Sequence, residues 1–227
     1  MNRLIVTDLD GTLTSRDLIL SPKVIEAVKI AKREGIRIRI ATGNALPVSA
    51  AISKYTGMND YVIAENGCII GFNGVPVYEF GDREQSRKAF EYSTKVLKLK
   101  PKPWNIYRFI DFVLERGPDA KELEATLRSK GFRVRVVDSG YAIHILPEGV
   151  SKGKTIEWLI EREGIPREKV IALGDGKNDI ELFEVASLSA TPEDGDDELK
   201  KVADVVVRGN GEALYDLINR LLSGELP

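Results

Sequence analysis

The first strand limits the folds open to this chain more than any other feature. Residues 4–9 form an apolar run broken only by Thr7 and Asp8, and the acids and the turn of Asp8-Leu9-Asp10-Gly11 close it. A strand with one wet face alternates apolar and polar residues. A run apolar on both faces belongs in a sheet covered on both sides, as parallel sheets are. Ser21-Pro22 then sets a capping hydroxyl and a proline at a helix start. Val24, Ile25, Val28, Ile30 and Ala31 give that helix its apolar stripe, and Gly35 ends it. Ile36, Ile38 and Ile40 alternate into a second strand that stops at Thr42-Gly43. A helix is expected over 47–55 and a third strand over 61–64. This β-α-β-α-β order predicts parallel neighbours joined by right-handed crossovers.

Asn66-Gly67, between apolar segments, reads as a hairpin turn. From about residue 81 the pattern changes. A helix is expected over 83–97, then the stiff connector Lys100-Pro101-Lys102-Pro103 and a strand over 109–115. A helix over 119–130 and two strands, 132–137 and 141–145, joined at Ser139-Gly140, complete a small antiparallel sheet with two helices. The first pattern then resumes. Helices are expected over 155–162, 180–185 and 212–222, and strands over 170–173, 187–190 and 203–207. The expected class is α/β: a doubly wound, parallel-sheet, Rossmann-like core of residues 1–81 and 153–227, with a small α+β cap domain of residues 82–152 inserted.

Charge and cysteine content narrow the function. Lys plus Arg number 33 against 35 for Asp plus Glu, a formal net charge of −2, so no electrostatic footprint points to nucleic acid. One cysteine, Cys68, excludes an internal disulfide and cannot build a zinc cluster; a small buried hydrophobe in a reducing cytosol is expected. No apolar run approaches the ~18 residues of a membrane span, and no signal-peptide core precedes the first strand. The expected location is the cytoplasm. Few Met, Cys and Gln beside many Lys, Glu and Arg fit a thermophilic source.

Two acidic clusters carry the chemistry. In a strand, residues i and i+2 face the same side, so Asp8 and Asp10 project together at the carboxyl end, where open α/β sheets hold their ligands. Two carboxylates this close repel unless a cation or a shared proton compensates. The second cluster, Gly174-Asp175-Gly176-Lys177-Asn178-Asp179, follows the buried strand 170–173 and suits a hard cation such as Mg²⁺. If these two strands are neighbours, four carboxylates meet. Thr42-Gly43-Asn44 offers a hydroxyl and free N–H groups that can bind phosphate oxygens, and Lys152, before a core helix, offers a cation. Each feature alone has an ordinary structural reading: a cap, a turn, a solvated lysine. Two look-alikes fail. Asp179 stands where a dinucleotide loop has its third glycine, and Glu148 where a phosphate-binding P-loop has its first. His144, the only histidine, falls between Ile143 and Ile145 on an alternating strand and is expected at a partly exposed sheet position. With one His and one Cys, zinc chemistry and Ser-His or Cys-His catalysis are poor explanations.

Asp8-Leu9-Asp10-Gly11-Thr12, then Thr42, then Lys152, then Gly174-Asp175 with Asp179, resemble in type and order the motifs of the haloacid dehalogenase superfamily. The resemblance spans nearly the whole chain. It implies Asp8 as nucleophile and metal ligand, and Asp10 as general acid and base that meets the metal through its carbonyl. It implies Thr42, Gly43 and Lys152 around the phosphoryl group, Asp175 and Asp179 as anchors of Mg²⁺, and Asn178 in support. The insert resembles the α/β cap of the sugar-phosphate and Cof-like branch. Its small size, with Ser151-Lys152-Gly153-Lys154-Thr155, is most similar to archaeal phosphoglycolate phosphatases; Asn44 stands where relatives often carry Arg. The substrate so implied is a small phosphate ester, 2-phosphoglycolate first and a broader set of sugar phosphates second. A catalytically silent phosphate-binding module is the reading from outside enzymology. Apolar residues in the cap and hairpin would suit a homodimer.

Overall fold

A computed structural model describes residues 3–227. The chain opens with β1 (Arg3–Thr7), α1 (Pro22–Arg33), β2 (Ile36–Ala41), α2 (Leu46–Thr56), β3 (Val62–Ala64), β4 (Ile69–Phe72) and β5 (Val75–Glu79). The insert supplies α3 (Arg83–Lys95), β6 (Phe112–Leu114), α4 (Ala120–Ser129), β7 (Val134–Asp138) and β8 (Ile143–Pro147). The main pattern returns with α5 (Lys152–Glu163), β9 (Val170–Leu173), α6 (Ile180–Phe183), β10 (Leu188–Pro192), α7 (Asp197–Lys200), β11 (Val205–Val207) and α8 (Ala213–Ser223).

The large sheet has the order β11-β10-β9-β1-β2-β3-β4-β5. β1 lies parallel to β2 on one side and to β9 on the other, so the two acid-bearing strands are neighbours. Alternation along β1 explains the layers. Ile5 turns to a core shared with Val24 and Val28 of α1 and Leu214 and Leu217 of α8. Leu4 and Val6 turn the other way, to Ile156, Leu159 and Ile160 of α5 and Leu182 of α6. Helices therefore cover both faces, as the two-sided apolar run requires. Ser21 caps α1 with its hydroxyl, and Pro22 opens it.

β5 was not expected from sequence. It pairs antiparallel with β4 at the sheet edge, where Pro76 costs no interior ladder bond. The Asn66-Gly67 hairpin is present between β3 and β4, with Glu65, Asn66 and Gly67 all at positive φ. A side chain on Gly67 would also overlap the Ser151 carbonyl, which ties this turn to the start of α5.

In the insert, β6-β8-β7 form an antiparallel sheet. The strand expected over 109–115 is shorter than foreseen, because Phe109, Ile110 and Asp111 give their N–H groups to the Glu65 carboxylate rather than to a strand. Ile143 and Ile145 of β8 pack against Leu123 and Leu127 of α4. The opposite face of β8 meets the main body: Leu146 packs with Leu46, Cys68 and Ile69. The expectation that His144 is partly exposed is therefore wrong. It is 3% exposed, because its side of β8 lies against Asn66 and Gly43 of the main body rather than in water. Cys68 is buried and free.

Candidate active site

Asp8, Asp10 and Asp175 sit in the turns that follow β1 and β9, and Asp179 stands directly before α6. Asp8 continues the ladder, donating its N–H to the Leu173 carbonyl at 2.8 Å. Gly11, at φ 78°, turns the chain back, and the Gly11 N–H donates to Thr14 Oγ1 at 2.9 Å. A methyl group on Gly11 would strike the Asp175 carboxylate, so the two acidic turns pack directly on each other. Thr12 Oγ1 reaches toward Asp175 Oδ1 at 3.4 Å. Asp179 Oδ2 accepts the N–H of Gly176 at 3.2 Å, and Gly174 leaves room for its carboxylate.

Lys152 is the first residue of α5, and Ser151 caps that helix through a bond from the Lys154 N–H. Its side chain is fully buried rather than solvated. Nζ donates to Asp8 Oδ1 at 2.6 Å and to Asp179 Oδ1 at 2.8 Å. Gly153 lets α5 come this close, since a side chain there would overlap the Glu181 carbonyl. Burial opposes the charge on Lys152, but Asp179 and Asp8 outweigh it and hold the ammonium above the usual lysine range. Burial is also the main influence on the acids. It pushes Asp8 well above the usual carboxylate range, against the pull of Lys152 and with repulsion from Asp179 and Asp175. It pushes Asp175 up to about 7, with Asp179 adding to the effect.

Carboxylate oxygens of Asp8, Asp175 and Asp179 lie within 4.8 Å of one another. Three hard oxygen donors with one shared ammonium are an incomplete neutralisation, and the donor set fits Mg²⁺. Asp10 stands apart by its side chain. Its Oδ2 accepts from Asn44 Nδ2 at 2.7 Å. Burial raises Asp10, opposed first by that bond and then by Lys152 and His144. Thr42 is buried, and its Oγ1 accepts the Asn44 N–H at 3.1 Å, which folds the Thr42-Gly43-Asn44 turn over the end of β2.

These groups line one cavity of about 170 Å³. Asp8, Asp10, Thr42, Gly43, Asn44, Asp175 and Asn178 form its floor, and Trp104, Arg108, Ser139, Tyr141 and His144 of the insert form its roof. All of the residues singled out from sequence thus meet here, Lys152 and Asp179 from just beneath the floor. The roof was missed. Arg108, Asp111 and His144 carry no motif, and the sole histidine on an alternating strand was the only hint.

A doubly wound α/β core with acids at two adjacent strand ends and an inserted α+β cap defines a class of hydrolase. The sequence pattern of the family described as haloacid dehalogenase-like hydrolase matches residues 5–81 and 78–216, and the chain belongs to that family. It is a phosphatase. It is 32% identical over 221 residues to the phosphoglycolate phosphatase of Methanothermobacter thermautotrophicus, covering 97% of this chain and 99% of that one. A solved Thermoplasma acidophilum structure superposes with a TM-score of 0.88 at 27% identity, over 98% of this chain and 99% of the other. A sugar phosphatase of the superfamily's subclass IIB shares the fold, with a TM-score of 0.78 at 19% identity over 98% of this chain and 100% of the other.

Proposed function

We propose that this phosphatase is Mg²⁺-dependent and hydrolyses a small phosphate monoester, 2-phosphoglycolate first, through a phosphorylated Asp8. The observation that carries this reading is the buried Lys152 ammonium joined to both Asp8 and Asp179 beside a third carboxylate. A lysine so placed holds the Asp8 carboxylate in one orientation and offsets the charge of an arriving phosphate. Asp8 attacks phosphorus, the ester oxygen leaves, and a second step hydrolyses the acyl phosphate, so one hard displacement becomes two easier ones. Asp10 serves both steps. Protonated, it gives its proton to the leaving oxygen; ionised, it takes one from the attacking water. Its raised affinity for protons favours the first role, and Asn44 fixes which oxygen faces the reaction. Thr42 and the Gly43 N–H, with Lys152, hold the phosphoryl oxygens, and Asn178 supports the site. Asp8, Asp175 and Asp179 would hold Mg²⁺, with the Asp10 carbonyl; there the ion would offset charge between nucleophile and phosphate.

The phosphoglycolate phosphatase relatives favour 2-phosphoglycolate over hexose phosphates. A panel of phosphorylated acids and sugars with Mg²⁺ tests the choice; faster turnover of hexose phosphates would overturn it. Asp8→Asn tests the chemistry. It is expected to lose at least ~10⁴-fold in kcat while remaining folded, and substantial turnover by that variant would remove Asp8 as nucleophile.

A further inference from the structure

We propose that Arg108 and His144 form a seat for a second anionic group of the substrate, the carboxylate of a short phosphorylated acid, across the cavity from the phosphate. This deepens the reading given above and rests on it.

The charges of the roof are ordered. Arg108 and His144 line the cavity, whereas Asp111 and Glu65, both fully buried, lie behind them. Asp111 Oδ2 accepts from Arg108 Nη1 at 3.0 Å and from His144 Nδ1 at 2.7 Å. Asn66 Nδ2 donates to the same oxygen at 3.0 Å. Asp111 accepting at Nδ1 puts a proton on that nitrogen and turns Nε2 the other way, where it donates only when the ring carries its second proton, the state a carboxylate at that place favours. Among the described residues Nε2 meets the Ser139 hydroxyl alone, at 3.1 Å, and Ser139 also lines the cavity. Glu65 is occupied elsewhere by three backbone N–H groups. Acids lie behind, and the Arg108 guanidinium with the His144 ring, able to take a second proton, lies in front, an order that suits an anion in the cavity.

Arg108 has capacity left over. It is 8% exposed and lines the cavity. Nη1 is held by Asp111, while Nη2 carries two N–H groups and gives one to the Gly43 carbonyl, which leaves the other for a ligand.

The spacing sets the length of the ligand. Arg108 Nη2 donates to the Gly43 carbonyl at 2.7 Å, and a side chain on Gly43 would touch Asn66 and His144. The phosphate-binding turn and the seat therefore share one residue. A short linker then spans a phosphate at Thr42-Gly43 and a carboxylate at Arg108. In-line attack by Asp8 also sends the leaving group away from β1, toward the insert.

The test uses the Mg²⁺-supplied enzyme and the ratio of kcat/KM for 2-phosphoglycolate to that for ethyl phosphate, a comparably small ester without a carboxylate. Arg108→Gln removes the fork. His144→Asn keeps an amide N–H near the position of Nδ1, and so the bond to Asp111, but strips the side that faces the cavity. Each variant is expected to lower the ratio by about tenfold or more, mainly through KM for the charged ester. A ratio unchanged in both would reduce the cluster to a latch and overturn the seat, even if both rates fell together. So would a wild-type ratio near one. A third ester, 3-phosphoglycerate, separates the two readings. If the wild type prefers it and the variants still lose their preference for charge, the glycolate assignment fails and the seat stands. If 2-phosphoglycolate remains best and the variants keep their preference, the assignment stands and the seat fails.

Discussion

Asn44 shows how one neutral side chain can set the behaviour of an acid. Its Nδ2 donates to Asp10 and lies 3.3 Å from Thr42 Oγ1, so one amide links the acid to the turn that follows β2. The bond holds Asp10 below where burial alone would put it. Asn44→Ala removes the donor, so Asp10 should bind its proton more tightly. The limb of the kcat/KM profile that belongs to Asp10 should then move to higher pH, with a loss of about tenfold in kcat from misorientation. An unmoved profile would separate Asp10 from that limb. The acids at the ends of β1 and β9 could be found from sequence, because strand period and strand-end position are written locally. Asn44 could not be given its partner that way, since Asp10 lies 34 residues earlier. His144 was misplaced for a similar reason. Alternation gives the face of a strand, but not whether that face meets water or another part of the chain.

At the scale of elements, the Glu65 turn joins the insert to the core. Its carboxylate is buried and accepts N–H groups from Phe109, Ile110 and Asp111 at 3.0, 2.9 and 3.0 Å. Burial, and next the nearby Asp111, raise its proton affinity, while those N–H groups oppose the rise. Glu65→Gln keeps the shape but replaces one acceptor oxygen with a donor that faces backbone donors. A loss of about 1–3 kcal/mol in unfolding free energy is expected, read by denaturant titration. Protease cleavage near residues 108–111 should quicken as well. A neutral result would mean that water substitutes for the carboxylate. No sequence rule reveals this contact, because a glutamate beside Asn-Gly reads as an ordinary turn residue. β5 escaped notice on similar grounds: Val75-Pro76-Val77 is short, and a proline argues against an interior strand without excluding an edge. The central strands and the insertion point were legible, since apolar period and turn residues specify them locally.

Across the whole molecule, the acidic centre opposes the stability of the fold that builds it. Helices on both faces and the insert above withdraw Asp8, Asp175 and Asp179 from water, and one lysine does not offset three carboxylates. Asp175 shows the consequence. Its folded carboxyl titrates at about 7 against an ordinary 3.8, so between these values the folded chain holds a proton that the unfolded chain has lost. The stability this contributes is fully present below pH 3.8 and is gone once the pH has risen through about 7. Asp175→Asn removes that titration. In chelator, the melting temperature of the variant should therefore gain on the wild type from about pH 4 to pH 7, then run parallel to it. On the proposed Mg²⁺ site, the ion at a hundred times its pH 8 Kd should stabilise the wild type by about 2.7 kcal/mol at pH 8, by less at pH 5, and the variant much less at either. A difference between variant and wild type that stays flat with pH would show that Asp175 is already ionised in the metal-free fold, and that Lys152 compensates the cluster without a cation.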